Sequence, residues 1–173
     1  MFLIMNFSED VIIAPADLSK DLIKIAKVKL LERVTGICHP KYGYFIKVFA
    51  IGDLKNGLIM EGTGDIIFKI DYSAVLMRPF KGEICDGIID TILEEGGIFV
   101  KVGPMKVFIA MNDVQPNFTL DSKNLCYFDE KKNIELKKGT KIRFRYKDIQ
   151  IAENEFKPVG TMKDDYLGYL QDN

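Results

Sequence analysis

Gly97-Ile98-Phe99-Val100-Lys101-Val102-Gly103-Pro104-Met105-Lys106-Val107-Phe108-Ile109 is the stretch whose reading decides the fold. Two alternating runs flank a Gly-Pro pair, the pattern of two strands joined by a tight turn. Successive side chains on a strand point to opposite faces. Ile98, Val100 and Val102 therefore point one way, and Phe99 and Lys101 the other. In the second run Val107 and Ile109 point one way, and Lys106 and Phe108 the other. The aliphatic set predicts a barrel interior. The opposite set places two phenylalanines and two lysines on the outer face of adjacent strands. Aromatic faces stack bases and ammonium groups track a phosphate backbone. The competing reading has the two phenylalanines covered by the polar segment after residue 112.

Further strands extend the pattern in both directions. Glu83–Leu93 reads as a strand before this pair. The second strand of the pair runs over Met105–Met111, and Thr140–Asp148 and a last piece made of Gln150–Glu153 with Val159–Met162 read as strands after it. Asn112–Asn133 is polar and irregular, and reads as a long loop. Strands joined by glycine-containing turns predict a small closed barrel of OB type, whose second and third strands are the usual oligonucleotide face. Lys137 to Lys147 holds Lys137, Lys138, Lys141, Arg143, Arg145 and Lys147 and no acid. Ile142, Phe144 and Tyr146 alternate with Arg143, Arg145 and Lys147, so the cations form a ladder on one face. Such a ladder suits a single-stranded phosphate backbone. The competing reading pairs it with the acids at Asp121 to Glu130.

Toward the N-terminus the β pattern breaks at Arg78-Pro79-Phe80-Lys81-Gly82, which predicts a boundary at about residue 80. The expected organisation is an α+β chain, with residues 1–80 as one domain and 81–173 as an all-β barrel. In the first domain, Ile66–Met77 alternates, with Phe68, Ile70, Tyr72, Ala74 and Leu76 on one face. Tyr44–Ile51 is rich in aromatic and β-branched residues. Lys41 to Ile46 reads as a β-hairpin with a buried face. Val11–Ala14 is a short β-branched run stopped by Pro15. Leu18, Leu22, Ile25, Ala26 and Leu30 recur at helical spacing, with Lys20, Lys24, Lys27 and Lys29 on the other faces. This predicts a helix over 18–34, N-capped by Asp17 and followed by Gly36 at C′. Lys55–Gly64, with three glycines, reads as a loop; it lacks the Gly-Lys-Ser/Thr of a P-loop.

Composition narrows the function classes. The chain has 173 residues, 47% apolar and 28% charged, with a net charge of -1. It can bury a core, and no single-sign field covers it, which argues against an indiscriminate polyanion binder. No apolar run approaches the roughly 18–20 residues of a spanning helix, and the first residues lack the basic start of a secretory leader. Three scattered cysteines and one histidine speak against a zinc site, a disulfide framework or a metal cofactor, and fit a reducing compartment. His39 reads as a loop or core residue. The carboxylates form no convincing catalytic pair; Glu94-Glu95 reads as a turn. A nuclease built on an OB barrel would need clustered acids or a metal site.

Pro79-Phe80-Lys81-Gly82-Glu83, Asp86-Gly87, Gly97-Ile98-Phe99-Val100, Val102-Gly103-Pro104-Met105-Lys106-Val107-Phe108 and the tail Gly160-Thr161-Met162-Lys163-Asp164-Asp165-Tyr166-Leu167-Gly168 carry a more specific signal. Together they resemble the family of the seventh-largest subunit of eukaryotic RNA polymerase II. The resemblance runs the length of the chain. Counterparts in polymerases I and III and in the archaeal polymerase share the architecture, and the Gly-Pro-Met-Lys-Val-Phe run and the tail look like the polymerase II version. The resemblance implies an RNP-like N-terminal tip domain, a C-terminal OB domain, no catalysis, and action in the nucleus. It implies a helical partner subunit that completes a stalk, a tip docked on the core polymerase near the clamp, and an OB face near emerging RNA. Gly57, Gly62, Thr63, Gly64 and Asp65 would then lie near the surface that meets the core. Phe99, Lys101, Lys106, Phe108, Arg143, Arg145 and Lys147 are the expected RNA contacts. The equivalent subunit of polymerase I or III, or an assembly module that touches protein only, remain the competing readings.

Overall fold

The computed structural model describes residues 1–170 apart from 19–20, 55, 95, 122–124 and 130–132. The chain divides into two compact units, Met1–Arg78 and Pro79–Asn173.

The first unit is a twisted sheet carrying one helix. Its strands are β1 (Phe2–Ile13), β2 (Cys38–His39), β3 (Gly43–Ile51), β4 (Leu58–Ile59) and β5 (Ile66–Met77), in the order β1-β5-β3-β2, with β4 on β5. β1 is far longer than the short run expected at Val11. It pairs with all of β5 from Phe2↔Met77 to Ile13↔Ile66. The polar residues Asn6, Ser8 and Asp10 in its middle stand on the exposed face opposite Ser73, Asp71 and Lys69. That placement satisfies a strand as well as apolar residues would. β5 keeps the expected face: Phe68, Ile70, Tyr72, Ala74 and Leu76 are buried.

The helix α1 (Leu22–Val34) starts one turn later than its spacing predicts. Pro15–Asp17 closes a separate 3-10 turn, and Asp17 pairs with Lys29 at 2.5 Å instead of capping. Asp21 takes the N-cap position. Ser19 and Lys20 of the expected start lie outside the described residues. Thr35 ends the helix, and Gly36 follows at φ +80, the left-handed conformation a C′ residue needs. Ala26, Leu30 and Val34 bury against the sheet with Leu22 and Ile25 beside them. Ile23 and Val28 remain exposed on the opposite side.

Tyr72 sits in this core with its ring 5.6 Å from that of Phe7. Burial, reinforced by the charge of Glu9 and partly offset by Arg33, pushes its hydroxyl from the ordinary value up to about 12. The folded form therefore keeps a proton that the unfolded chain releases near pH 10. Stability from this group is complete below pH 10 and falls as the pH rises toward 12. A Tyr72→Phe variant is expected to flatten that alkaline loss in chemical denaturation measured from pH 9 to 12. An unchanged slope would refute it.

The second unit is built on β6 (Ile84–Leu93), β7 (Gly97–Val102), β8 (Met105–Ala110), β12 (Lys141–Ala152) and β13 (Glu155–Thr161). Their order is β13-β8-β7-β6-β12, and β12 also pairs with β13, which closes the ring. β13 meets β8 in parallel, at Val159↔Phe108 and Gly160↔Ile109. Five strands closed in this way form the small barrel expected of an OB fold. Ile98, Val100, Val107, Ile109, Ile142, Phe144 and Tyr146 fill it and are essentially inaccessible.

Two expectations need correction. Residues 112–133 are not a loop throughout. They contain β9 (Thr119–Asp121) and β10 (Cys126–Asp129), which form a three-stranded sheet with β11 (Ile134–Leu136). Tyr127 and Leu136 are buried there. Strands of three or four residues are too short to show alternation. At the end of the barrel, Gln150–Ala152 belongs to the long β12. A turn at Glu153 and Asn154, both with positive φ, leads into β13, and β14 (Gly168–Tyr169) pairs with Ile142 and Arg143 of β12 on the edge away from β6.

Candidate nucleic-acid interface

The outer face of β7 and β8 carries the four residues expected there. The antiparallel register sets Phe99 opposite Phe108 and Lys101 opposite Lys106. The two rings lie 5.3 Å apart, tilted by 50°, and both are half-buried. Phe108 leans over Gly97, where a Cβ would come within 2.6 Å of its ring. The missing side chain at Gly97 thus makes room for the ring.

Lys101 and Lys106 face each other directly, an arrangement that repels. The neighbouring strand supplies the remedy. The β6–β7 register shifts between Ile89 and Thr91, which leaves Asp90 as the extra residue of a β-bulge. The bulge turns Asp90 to the outer face, where its carboxylate lies 2.9 Å from Lys106 Nζ. Lys106, and at longer range Lys138 and Lys101, hold the Asp90 carboxyl below its ordinary range. Lys138 reaches this place because the turn before β12 is bonded to β6: Gly139 N–H donates to the Ile89 carbonyl and Ile89 N–H donates to that of Thr140. The outer row continues through Ile88, opposite Lys101, to Lys141, opposite Ile88. Lys138, Asp90 and the exposed Ile88 are not among the contacts that alternation predicts. Only the bulge and the strand register bring them beside Lys101 and Lys106.

The ladder on β12 forms with the expected alternation, but each cation meets a carboxylate. Arg143 makes a two-pronged contact with Asp86, Nε to Oδ1 at 2.6 Å and Nη2 to Oδ2 at 2.9 Å. Those bonds hold Asp86 below the ordinary carboxylate range and raise Arg143. Arg145 Nη1 lies 2.8 Å from Asp164 in the tail motif. Lys147 is the extra residue of a bulge in β12 and donates to both oxygens of Asp113 at 3.0 Å. Asp113 is buried, so its pairing with Lys147 supports the fold. Among the described residues Arg143, Arg145 and Lys147 meet Asp86, Asp164 and Asp113; of the acids expected opposite them, Glu130 lies outside the described residues. Beyond Arg143 and Arg145 a cleft of about 490 Å³ runs between Ile84, Asp86 and the tail residues Asp165, Tyr166 and Leu167.

In the first unit, Gly57, Gly62, Thr63, Gly64 and Asp65 surround a tight hairpin on β4. Met60 N–H donates to the Asp65 carbonyl and Gly64 N–H to that of Met60. Between the glycines Leu58 and Ile59 project almost fully, 72% and 71% exposed. Lys55 of the expected loop and Glu95 of the Glu94-Glu95 turn lie outside the described residues. His39 is in β2, its ring 4.7 Å from that of Tyr42 and its Nδ1 accepting from the Lys41 N–H. Among the described residues no group of three or more His, Cys, Asp or Glu could hold a metal ion.

Residues 8–64 match the model of the SHS2 domain found in the N terminus of Rpb7p/Rpc25p/MJ0397. Over 173 residues the chain is 33% identical to DNA-directed RNA polymerase II subunit rpb7 of Schizosaccharomyces pombe, covering 98% of this chain and 99% of the relative. It is 31% identical to the RPB7 subunit of Saccharomyces cerevisiae, covering 98% and 100%. A subunit 7 of Arabidopsis thaliana RNA polymerase V is similar at 25% identity over 99% of both chains.

Proposed function

The chain belongs to the Rpb7 family of RNA polymerase subunits, and on that premise we propose that it is a non-catalytic subunit of DNA-directed RNA polymerase II acting in the nucleus. The observation that carries the reading is the end-to-end match to polymerase II subunits at 27–33% identity, against 25% to the polymerase V subunit.

The role is positional. The first unit docks on the core enzyme through the hairpin at 57–65. Leu58 and Ile59 are the apolar anchors, because two large exposed side chains held by a bonded turn offer area at little ordering cost. A helical partner subunit completes the stalk. The outer face of the barrel guides single-stranded RNA, with Phe99 and Phe108 stacking bases and Lys101, Lys106 and Lys138 following phosphates. Arg143 and Arg145 contribute only when phosphate replaces their carboxylates, and Lys147 contributes least because Asp113 depends on it.

The test is affinity purification of the tagged chain from its own cells. The expected result is recovery of the two largest polymerase II subunits with a small helical partner. Recovery of polymerase I or III large subunits, or of none, would overturn the assignment. A Leu58→Asp/Ile59→Asp variant is expected to keep the small partner and to lose at least tenfold of the large subunits.

A further inference from the structure

We propose that Asp86, Asp90 and Asp164 are built-in phosphate surrogates that confine this face to single strands able to stack, and so exclude duplex DNA and other polyanions. The proposal rests on the reading of the barrel face as an RNA guide.

The geometry supporting it is one repeated arrangement. Asp90 lies 2.9 Å from Lys106, within the field of Lys101 and Lys138. Asp86 engages the Arg143 fork in the two-pronged way a phosphate would. Asp164 engages Arg145 at 2.8 Å. The three carboxylates come from a bulge in β6, from the start of β6 and from the tail, so no single local constraint places them all. Each neutralises a cation already aimed outward, and none of the three is buried.

The consequence follows from how polyanions bind. Duplex DNA buries its bases and offers mainly phosphates, so its non-specific affinity rests on the number of cations it neutralises. On this face a phosphate must first displace a carboxylate, which cancels most of the Coulombic gain. A single strand offers base faces as well, and stacking on Phe99 and Phe108 does not depend on the aspartates. The exchange costs a single strand the same, but the strand retains its stacking energy, which a duplex lacks. Discrimination thus comes from an element that penalises the wrong ligand more than the right one.

The test compares the full-length chain with Asp86→Asn/Asp90→Asn/Asp164→Asn by fluorescence anisotropy. The probes are a 12-nucleotide single-stranded RNA and a 12-base-pair DNA duplex, titrated across a salt series. The single Asp90→Asn variant serves if the triple variant unfolds. The triple variant is expected to gain at least tenfold in duplex affinity, with a smaller gain for RNA. Its salt slope for RNA should steepen by about 2, at about 0.7 for each cation released from its carboxylate. If the native chain binds RNA and the variants gain neither affinity nor slope, the inference is overturned and the RNA reading stands. If the native chain binds nothing but the triple variant binds both probes equally, the masking is real and the RNA reading falls. If neither binds, both fall.

Discussion

Replacing Phe144 by alanine is expected to cost the barrel about 3–5 kcal/mol, the usual range for removing a fully buried phenylalanine. Phe144 is inaccessible and lies on β12, which pairs with β6, β13 and β14. Its ring meets that of Tyr146 edge-on at 5.3 Å. On its other side it rests over Gly160 of β13, where a Cβ would lie 2.8 Å from Phe144 Cδ2. Ring and glycine are therefore two halves of one packing solution at the seam that closes the barrel. Gly160→Ala alone should cost about 1–3 kcal/mol by overpacking. In the Phe144→Ala background most of that second cost should vanish, because the new methyl group enters the space the ring has left. Urea dependence of hydrogen exchange at the β12 amides measures all three variants. Additive costs would mean that Phe144 does not seat on Gly160.

The second large effect concerns RNA. Phe99→Ala/Phe108→Ala should weaken binding of a short single-stranded RNA by roughly 5-fold to 150-fold per ring, the range that about 1–3 kcal/mol of stacking spans. The slope of affinity against salt should not change, since every cation is retained. Lys101→Ala/Lys106→Ala should do the reverse in part. It should weaken binding less at high salt than at low, with the slope shallower by about 0.7 from Lys101, since Lys106 is already neutralised by Asp90. Because Phe108 packs over Gly97, the Phe99→Leu/Phe108→Leu pair is the control that keeps apolar volume and removes the ring faces. Loss with leucine as severe as with alanine identifies stacking. Full binding with leucine would mean that the rings only fill space. If neither the rings nor the lysines matter to a folded chain, the face meets protein and not RNA.

Legibility follows the length and regularity of each element. Ile66–Met77 and Gly97–Val102 have the bounds that alternation predicts, because long or uniform runs of period two leave one consistent face. Most of β1 is illegible by the same rule. Glu9 on the inward row and Phe2, Ile4 and Ile12 on the outward row blur the period unless the facing strand is known, and that strand lies at the far end of the same unit. β9, β10 and β11 have three or four residues each and carry no period at all. The helix is legible but its start is not, since Asp17 and Asp21 are equally good caps by composition and only the turn at Pro15 decides between them.

The candidate site divides along the same line. The amino-acid order alone determined which residues face outward: Phe99 and Lys101 opposite the aliphatic core, and Arg143, Arg145 and Lys147 opposite Ile142, Phe144 and Tyr146. That is a property of one strand at a time, and strand geometry enforces it. The tertiary structure alone decided what those side chains meet. Asp90 reaches Lys106 only through a bulge, Asp86 meets Arg143 only through the β6–β12 register, and Asp164 meets Arg145 only because the tail returns along β12. Electrostatic partnership depends on distance in space, and Asp86, which grips Arg143 from the adjacent strand, stands 57 residues from it along the chain.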